Sequence, residues 1–248
     1  FVILYVFAAF VLAMAVGKLV SGFVGKKYSH FSYLLMSTVE GGNVALPLYL
    51  SIVGSSSNTV IFDIAGSALC FIVLPVWIAR LSSSGVSAKE LMKNIFSNSF
   101  VVAVILGLVL NLSGGYKLLA ASPFFELYTG VVNQATAPIV GMILFILGYD
   151  LRIDKETIGP ILRLAVARVL FYGAVIGGFF LLFPVLMQDK SFLMAVLIYF
   201  MSPTGFGMLP VVAPVLKNRE DASFASAYIS VYMLITLAVY ALVVVFIV

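Results

Sequence analysis

Eight apolar runs, each about as long as a bilayer is thick, leave this chain few ways to fold. They are Val2–Val24, Phe31–Gly54, Thr59–Leu81, Phe96–Leu112, Leu127–Leu151, Ile158–Met187, Ser191–Leu216 and Ala222–Val248. A helix crossing a hydrocarbon core of about 30 Å needs roughly 20 residues. Inside lipid every backbone N–H and C=O must also be paired by protein, so each run is expected to be a helix. The connections between runs are short, which argues for one bundle. Only 10% of the residues are charged and 63% are hydrophobic, where soluble domains carry about a quarter charged. The expected fold class is therefore an all-α polytopic membrane protein.

Charge placement gives the orientation. Lys26, Lys27, Arg80, Lys89, Lys93, Arg152, Lys155, Lys217 and Arg219 fall in loops of one side, and Arg163 and Arg168 enter the sixth run from that side. Only Lys117 and Lys190 fall on the other, while Lys18 lies near the basic end of the first run. Basic loops stay in the cytoplasm, so the chain is expected to be a multi-pass protein of the cell membrane with its C-terminus outside. The net charge of +4 is accounted for in this way and is not a nucleic-acid footprint. Arg163 and Arg168, five positions apart, do not share a helix face; they read as lipid-headgroup anchors, or alternatively as a lure for anions. Trp77 reads as an interfacial belt residue.

Several enzyme classes fall away. One cysteine, Cys70, and one histidine, His30, exclude an internal disulfide, a zinc site of His and Cys, and a His-Glu-x-x-His protease. No Gly-x-Ser-Gly accompanies His30, and Asp63 and Asp150 fall at opposite span ends rather than as an intramembrane pair. Asp63 reads as solvated at the outer interface. The expectation is no enzyme, no resident metal and no cofactor. A channel is the other rival, and an intramembrane enzyme ranks with it below a carrier.

The runs contain a repeat. "MSTVEGGNVALP" begins at Met36 and "MSPTGFGMLP" at Met201, 165 positions later. The same shift lays Val2–Val24 and Thr59–Leu81 on the sixth and eighth runs, with direction across the membrane reversed. Inverted repeats with paired interrupted helices mark secondary transporters, whose substrate and ion sites lie at the midplane. Residues 1–81 are then the later part of a first repeat, residues 82–95 a cytoplasmic linker with an amphipathic stretch at 88–96, and residues 96–248 the second repeat. Extending the shift upstream predicts an intact protein of ten spans, of which this chain carries eight. The abrupt start at Phe1 within an apolar run fits that expectation.

Glu40 should lie about 15 Å into its span, near the midplane. A carboxylate there costs at least about 2.5 kcal/mol and calls for a function. It reads as a proton or sodium site; a half-helix cap is the plainer alternative. Asn43 is a candidate substrate or ion ligand. Gly41, Gly42, Gly205 and Gly207 would let backbone unwind, Pro47, Pro203 and Pro210 would interrupt helices, and Thr204 would ligate or bond its own helix. Asn133, Gln134, Thr136 and Pro138 read as a third polar break facing the same cavity. Restarting half-helices present N–H ends to the crossing, which favours an anion.

These stretches, with "NSFVVAVILGLVLNLSG" from Asn98 and "ATAPIVGMILFILGYDL" from Ala135, resemble the auxin efflux carrier family: plant auxin exporters and bacterial malate or malonate permeases. The resemblance implies the crossing-helix fold shared with bile acid symporters and sodium/proton antiporters. It also implies an elevator motion and an organic anion substrate such as malate, malonate or an auxin-like acid. A bile acid symporter-like or cation/proton antiporter activity is the alternative, and a homodimer is compatible with both. Glu40-Gly41-Gly42 departs from the asparagine-led Gly-Pro motif of many members, and the short linker points to a prokaryotic one.

Overall fold

A computed structural model describes residues 1–54, 57–74, 77–78, 99–149 and 155–248. The linker read at 82–95 and its amphipathic stretch lie outside them, as do Arg80, Lys89, Lys93 and Arg152. Among the described residues there is no strand. The helices are α1 (Val2–Val24), α2 (Leu46–Val53), α3 (Ser57–Ala68), α4 (Ser99–Leu112), α5 (Gly115–Ala120), α6 (Phe125–Tyr149), α7 (Lys155–Leu182), α8 (Pro184–Met187), α9 (Lys190–Phe200), α10 (Met208–Val212) and α11 (Arg219–Phe246). Among the described residues, three stretches, Val2–Val24, Glu156–Leu182 and Arg219–Phe246, are long and apolar enough to cross a membrane.

Their outer surfaces fit that reading. Leu19, Leu170 and Leu181 are 84%, 69% and 83% exposed, a placement costly in water and favourable in lipid. Polar side chains also cap helix starts. Asp189 caps α9 by accepting from the amides of Ser191 and Phe192, and Asn218 caps α11 by accepting from Asp221. Such caps satisfy donors that the first helical turn leaves free.

Two of the expected spans are interrupted. The second begins as a 3₁₀ turn (Ser32–Met36), leaves the helix over residues 37–40, and resumes as a π-turn (Gly41–Ala45) leading into α2. The seventh is α9, a break over residues 201–207, and then α10 with a short 3₁₀ turn (Ala213–Val215). Pro203 and Gly205 sit in the second break and Pro47 near the start of α2, where a missing amide is tolerated.

α1 packs on the 3₁₀ turn, α3 and α7; α9 packs on α2, α3, α7 and α11. Their shared core is aromatic. The Phe62 and Tyr199 ring centroids lie 5.2 Å apart, those of Phe179 and Phe200 5.3 Å, and those of Tyr172 and Phe200 5.9 Å. α1 approaches the 3₁₀ turn closely at Gly17, where a Cβ would stand 3.0 Å from the Tyr33 backbone. In contrast α6 packs chiefly on α11, and α4 on α5.

The turn after α1 is tied to the start of α11. Lys27 pairs with Glu220. Tyr28 stacks on Phe224 at 4.0 Å, and His30 Nε2 lies 3.1 Å from Asp221 Oδ2. These contacts set where the chain enters its first break.

Candidate functional site

The two breaks meet. The Glu40 amide donates to the Pro203 carbonyl at 2.8 Å, and the Phe206 amide donates to Glu40 Oε2. Thr204 donates from Oγ1 to the Leu35 carbonyl, 169 positions away in sequence. Gly205 lies against Thr38 and Val39. Each interrupted segment thus supplies hydrogen bonds that the other lost on leaving the helix, which is how broken helices survive away from water.

Glu40 is 6% exposed. Its Oε1 accepts from the Asn43 amide at 3.1 Å and from Asn43 Nδ2 at 2.9 Å. Together with the Phe206 contact, one carboxylate serves the N–H ends of both restarting segments. That is the capping geometry of the plainer alternative. It also puts a carboxylate where the dipoles would draw an anion. Asn43 is half-buried, its amide group turned to Glu40, and Gly42 and Pro47 are exposed.

Asp63 departs from its sequence reading. Expected at the solvated interface, it accepts from the buried Tyr199 hydroxyl at 3.3 Å and faces Gly41. A Cβ on Gly41 would collide with the Asp63 carboxylate and come 2.8 Å from Tyr199 Cε2. The absent side chain is what lets α3 and α9 bring these groups to the break. Depth along the sequence missed this, because the contact is set by helix packing. The result is two carboxylates, Glu40 and Asp63, flanking Gly41.

Arg168 departs more. It is 0% exposed, not a headgroup anchor. Nη1 donates to the carbonyls of Leu35 (2.9 Å) and Met36 (3.2 Å), and Nη2 to those of Thr38 (2.7 Å) and Ser202 (3.2 Å). Tyr172 adds its hydroxyl to Met36 at 2.8 Å, and Thr236 donates to Met201 at 2.8 Å. The signal was present in the sequence: an arginine midway along an apolar helix faces inward or pairs with backbone. Arg163, by contrast, is exposed and donates to the Phe23 carbonyl at 3.2 Å.

The third break is absent. α6 runs unbroken from Phe125 to Tyr149 with Pro138 inside it. A proline removes one N–H, and the neighbouring turns carry the helix through. Asn133, Gln134 and Pro138 are exposed and Thr136 lies on the same helix; among the described residues α6 packs chiefly on α11. The structure therefore brings together Glu40, Gly41, Asn43, Pro203, Thr204 and Gly205. Gly207 is the residue just before α10 and Pro210 lies within that helix, while the α6 set belongs to a helix packed chiefly on α11.

Among the described residues no group of three or more His, Cys, Asp or Glu could hold a metal ion. Comparisons with protein-family models, curated proteins and solved structures found no match to this chain.

Proposed function

We propose that the protein is a secondary active carrier of the cell membrane, and that the crossing of its two interrupted segments is the transport site. The observation that carries this reading is the break-to-break contact: Glu40 on Pro203, and Phe206 on Glu40. Freed backbone in a membrane protein is tolerated where it is buried or lines a pathway, and a pair of such breaks is the arrangement of alternating-access carriers. The 165-residue offset between the two motifs supports reading the chain as inverted repeats of eight spans, with the C-terminus outside. The likeness of its motifs to auxin efflux carriers points to a small organic anion, moved by an elevator motion of the body holding the crossing. Glu40 would exchange a proton or sodium ion in step with it.

A second reading has its own support. The Glu40 carboxylate already occupies the N–H ends that would otherwise attract an anion, and Asp63 adds a second carboxylate beside Gly41. That arrangement suits a cation/proton antiporter. Counterflow in proteoliposomes separates the possibilities. Labelled malate or an aromatic acid should accumulate faster when unlabelled acid is loaded inside; a channel gives no such trans-stimulation. An antiporter leaves the acid signal flat and instead couples sodium movement to internal acidification.

A further inference from the structure

Among the described residues Arg168 pairs with no carboxylate. The ion pairs among the described residues are Lys27–Glu220 and His30–Asp221, both remote from it in sequence. An uncompensated buried cation costs several kcal/mol, so its environment must answer the charge by other means. The answer is four carbonyls, and their identity is informative. Leu35, Met36 and Thr38 belong to the end of the 3₁₀ turn and the start of the first break; Ser202 belongs to the second. These are places where helical bonding lapses and carbonyls are orphaned, the negative ends of the two segments. Glu40 serves the N–H ends of both segments, and Arg168 serves the C=O ends of both. Rings of Tyr172 and Tyr232 stand 4.6 Å and 5.1 Å from Cζ and fix the plane of the fork.

We infer that Arg168 is the positioning residue of the crossing: its Nη2 bridges Thr38 and Ser202, sets the spacing of the two breaks, and so keeps the Phe206 amide on the Glu40 carboxylate. A lysine keeps the charge but not the function. Its ammonium is a compact point with three donors, while the planar guanidinium reaches four acceptors from one side chain. Two other side chains hold one break each. Tyr172 reaches only Met36, and Thr236 reaches only Met201 among the break carbonyls.

Amide hydrogen exchange on the purified protein tests this without reference to what is carried. Arg168→Lys should speed exchange over residues 37–45 and 201–208 together by at least about tenfold, the equivalent of one charge-assisted hydrogen bond. α1 and α11 should stay protected. Tyr172→Phe should loosen the first break alone, and Thr236→Val the second alone. Wild-type exchange at either break in Arg168→Lys, or equal acceleration throughout the bundle, would overturn the inference. If that variant fails to fold, Tyr232→Leu decides, since it frees one side of the fork while keeping the arginine: both breaks must loosen, and an unchanged pattern counts against the assignment. A transport arm rests on the carrier reading. There Arg168→Lys should raise the half-saturating substrate concentration about tenfold per folded molecule, whereas a role in fold stability alone lowers only the amount of folded protein. Absence of both acid counterflow and sodium-coupled proton movement in the wild type would defeat the carrier reading and leave the exchange test standing.

Discussion

Glu40→Ala is expected to destabilise the protein by about 3–5 kcal/mol, measured as loss of thermal stability in detergent. The carboxylate accepts from two backbone amides, Asn43 and Phe206, and from the Asn43 side chain. Hydrogen bonds to a charged group contribute about 1.5–3 kcal/mol each, and a buried donor left unpaired costs about 1–3 kcal/mol. Alanine removes the acceptor for both amides at once and unties the contact between the breaks on one side. Glu40→Gln should cost less. Its amide oxygen replaces one acceptor, but its NH₂ group then faces a donor. A Glu40→Ala protein as stable as wild type would mean that the crossing is held elsewhere and that the capping geometry has little energetic weight.

Gly41→Ala is the second large effect, about 2–3 kcal/mol by the same measurement, and its cause is opposite. Nothing is removed; there is no room for what is added. The Asp63 carboxylate is the end of a flexible side chain and can turn away, at the loss of its bond from Tyr199. The Tyr199 ring cannot. It is fully buried, and its hydroxyl stands 3.2 Å from where a Gly66 Cβ would be. Gly42→Ala is the control, because Asp63 Oδ2, the nearest atom beyond its chain neighbours, would lie 3.9 Å from its added Cβ and little stability should be lost. Equal effects at the two glycines would point to backbone flexibility rather than close approach.

Much of this architecture was legible in the sequence. α1 begins and ends at Val2 and Val24, as its apolar run does, because no proline interrupts it and Lys18 and Ser21 fall only in its last two turns. Both interruptions were marked by glycine and proline in the middle of runs that lipid would otherwise keep helical. Their meeting at one place followed from equal depth. Asp63 and Arg168 were misplaced for one shared reason. A sequence gives position along a helix but not which face a neighbour covers, and both residues take their surroundings from other segments. Asp63 depends on the missing side chain at Gly41; Arg168 depends on carbonyls freed more than 30 positions away on either side. The polar set on α6 failed for a different reason. Asparagine, glutamine and proline weaken a helix locally, yet they break it only where another partner takes up the freed backbone groups, and among the described residues the chief neighbour of α6 is the unbroken helix α11.

The crossing also has an economy that single residues do not show. Two interruptions expose four helix ends. One anionic and one cationic side chain answer them, with Thr204, Tyr172 and Thr236 filling in single carbonyls. Helix ends met by fixed protein charges are already stabilised before any ligand arrives. A ligand that enters must therefore compete with Glu40 or act through it, which makes Glu40 the residue on which coupling would turn.

The most direct measurement is uptake by Glu40→Gln in proteoliposomes, with and without an imposed pH or sodium gradient, normalised to folded protein. A carrier coupled through the crossing should lose its response to the gradient, with downhill exchange either retained or slowed. Uptake that keeps both the wild-type rate and the wild-type dependence on the gradient would contradict the account.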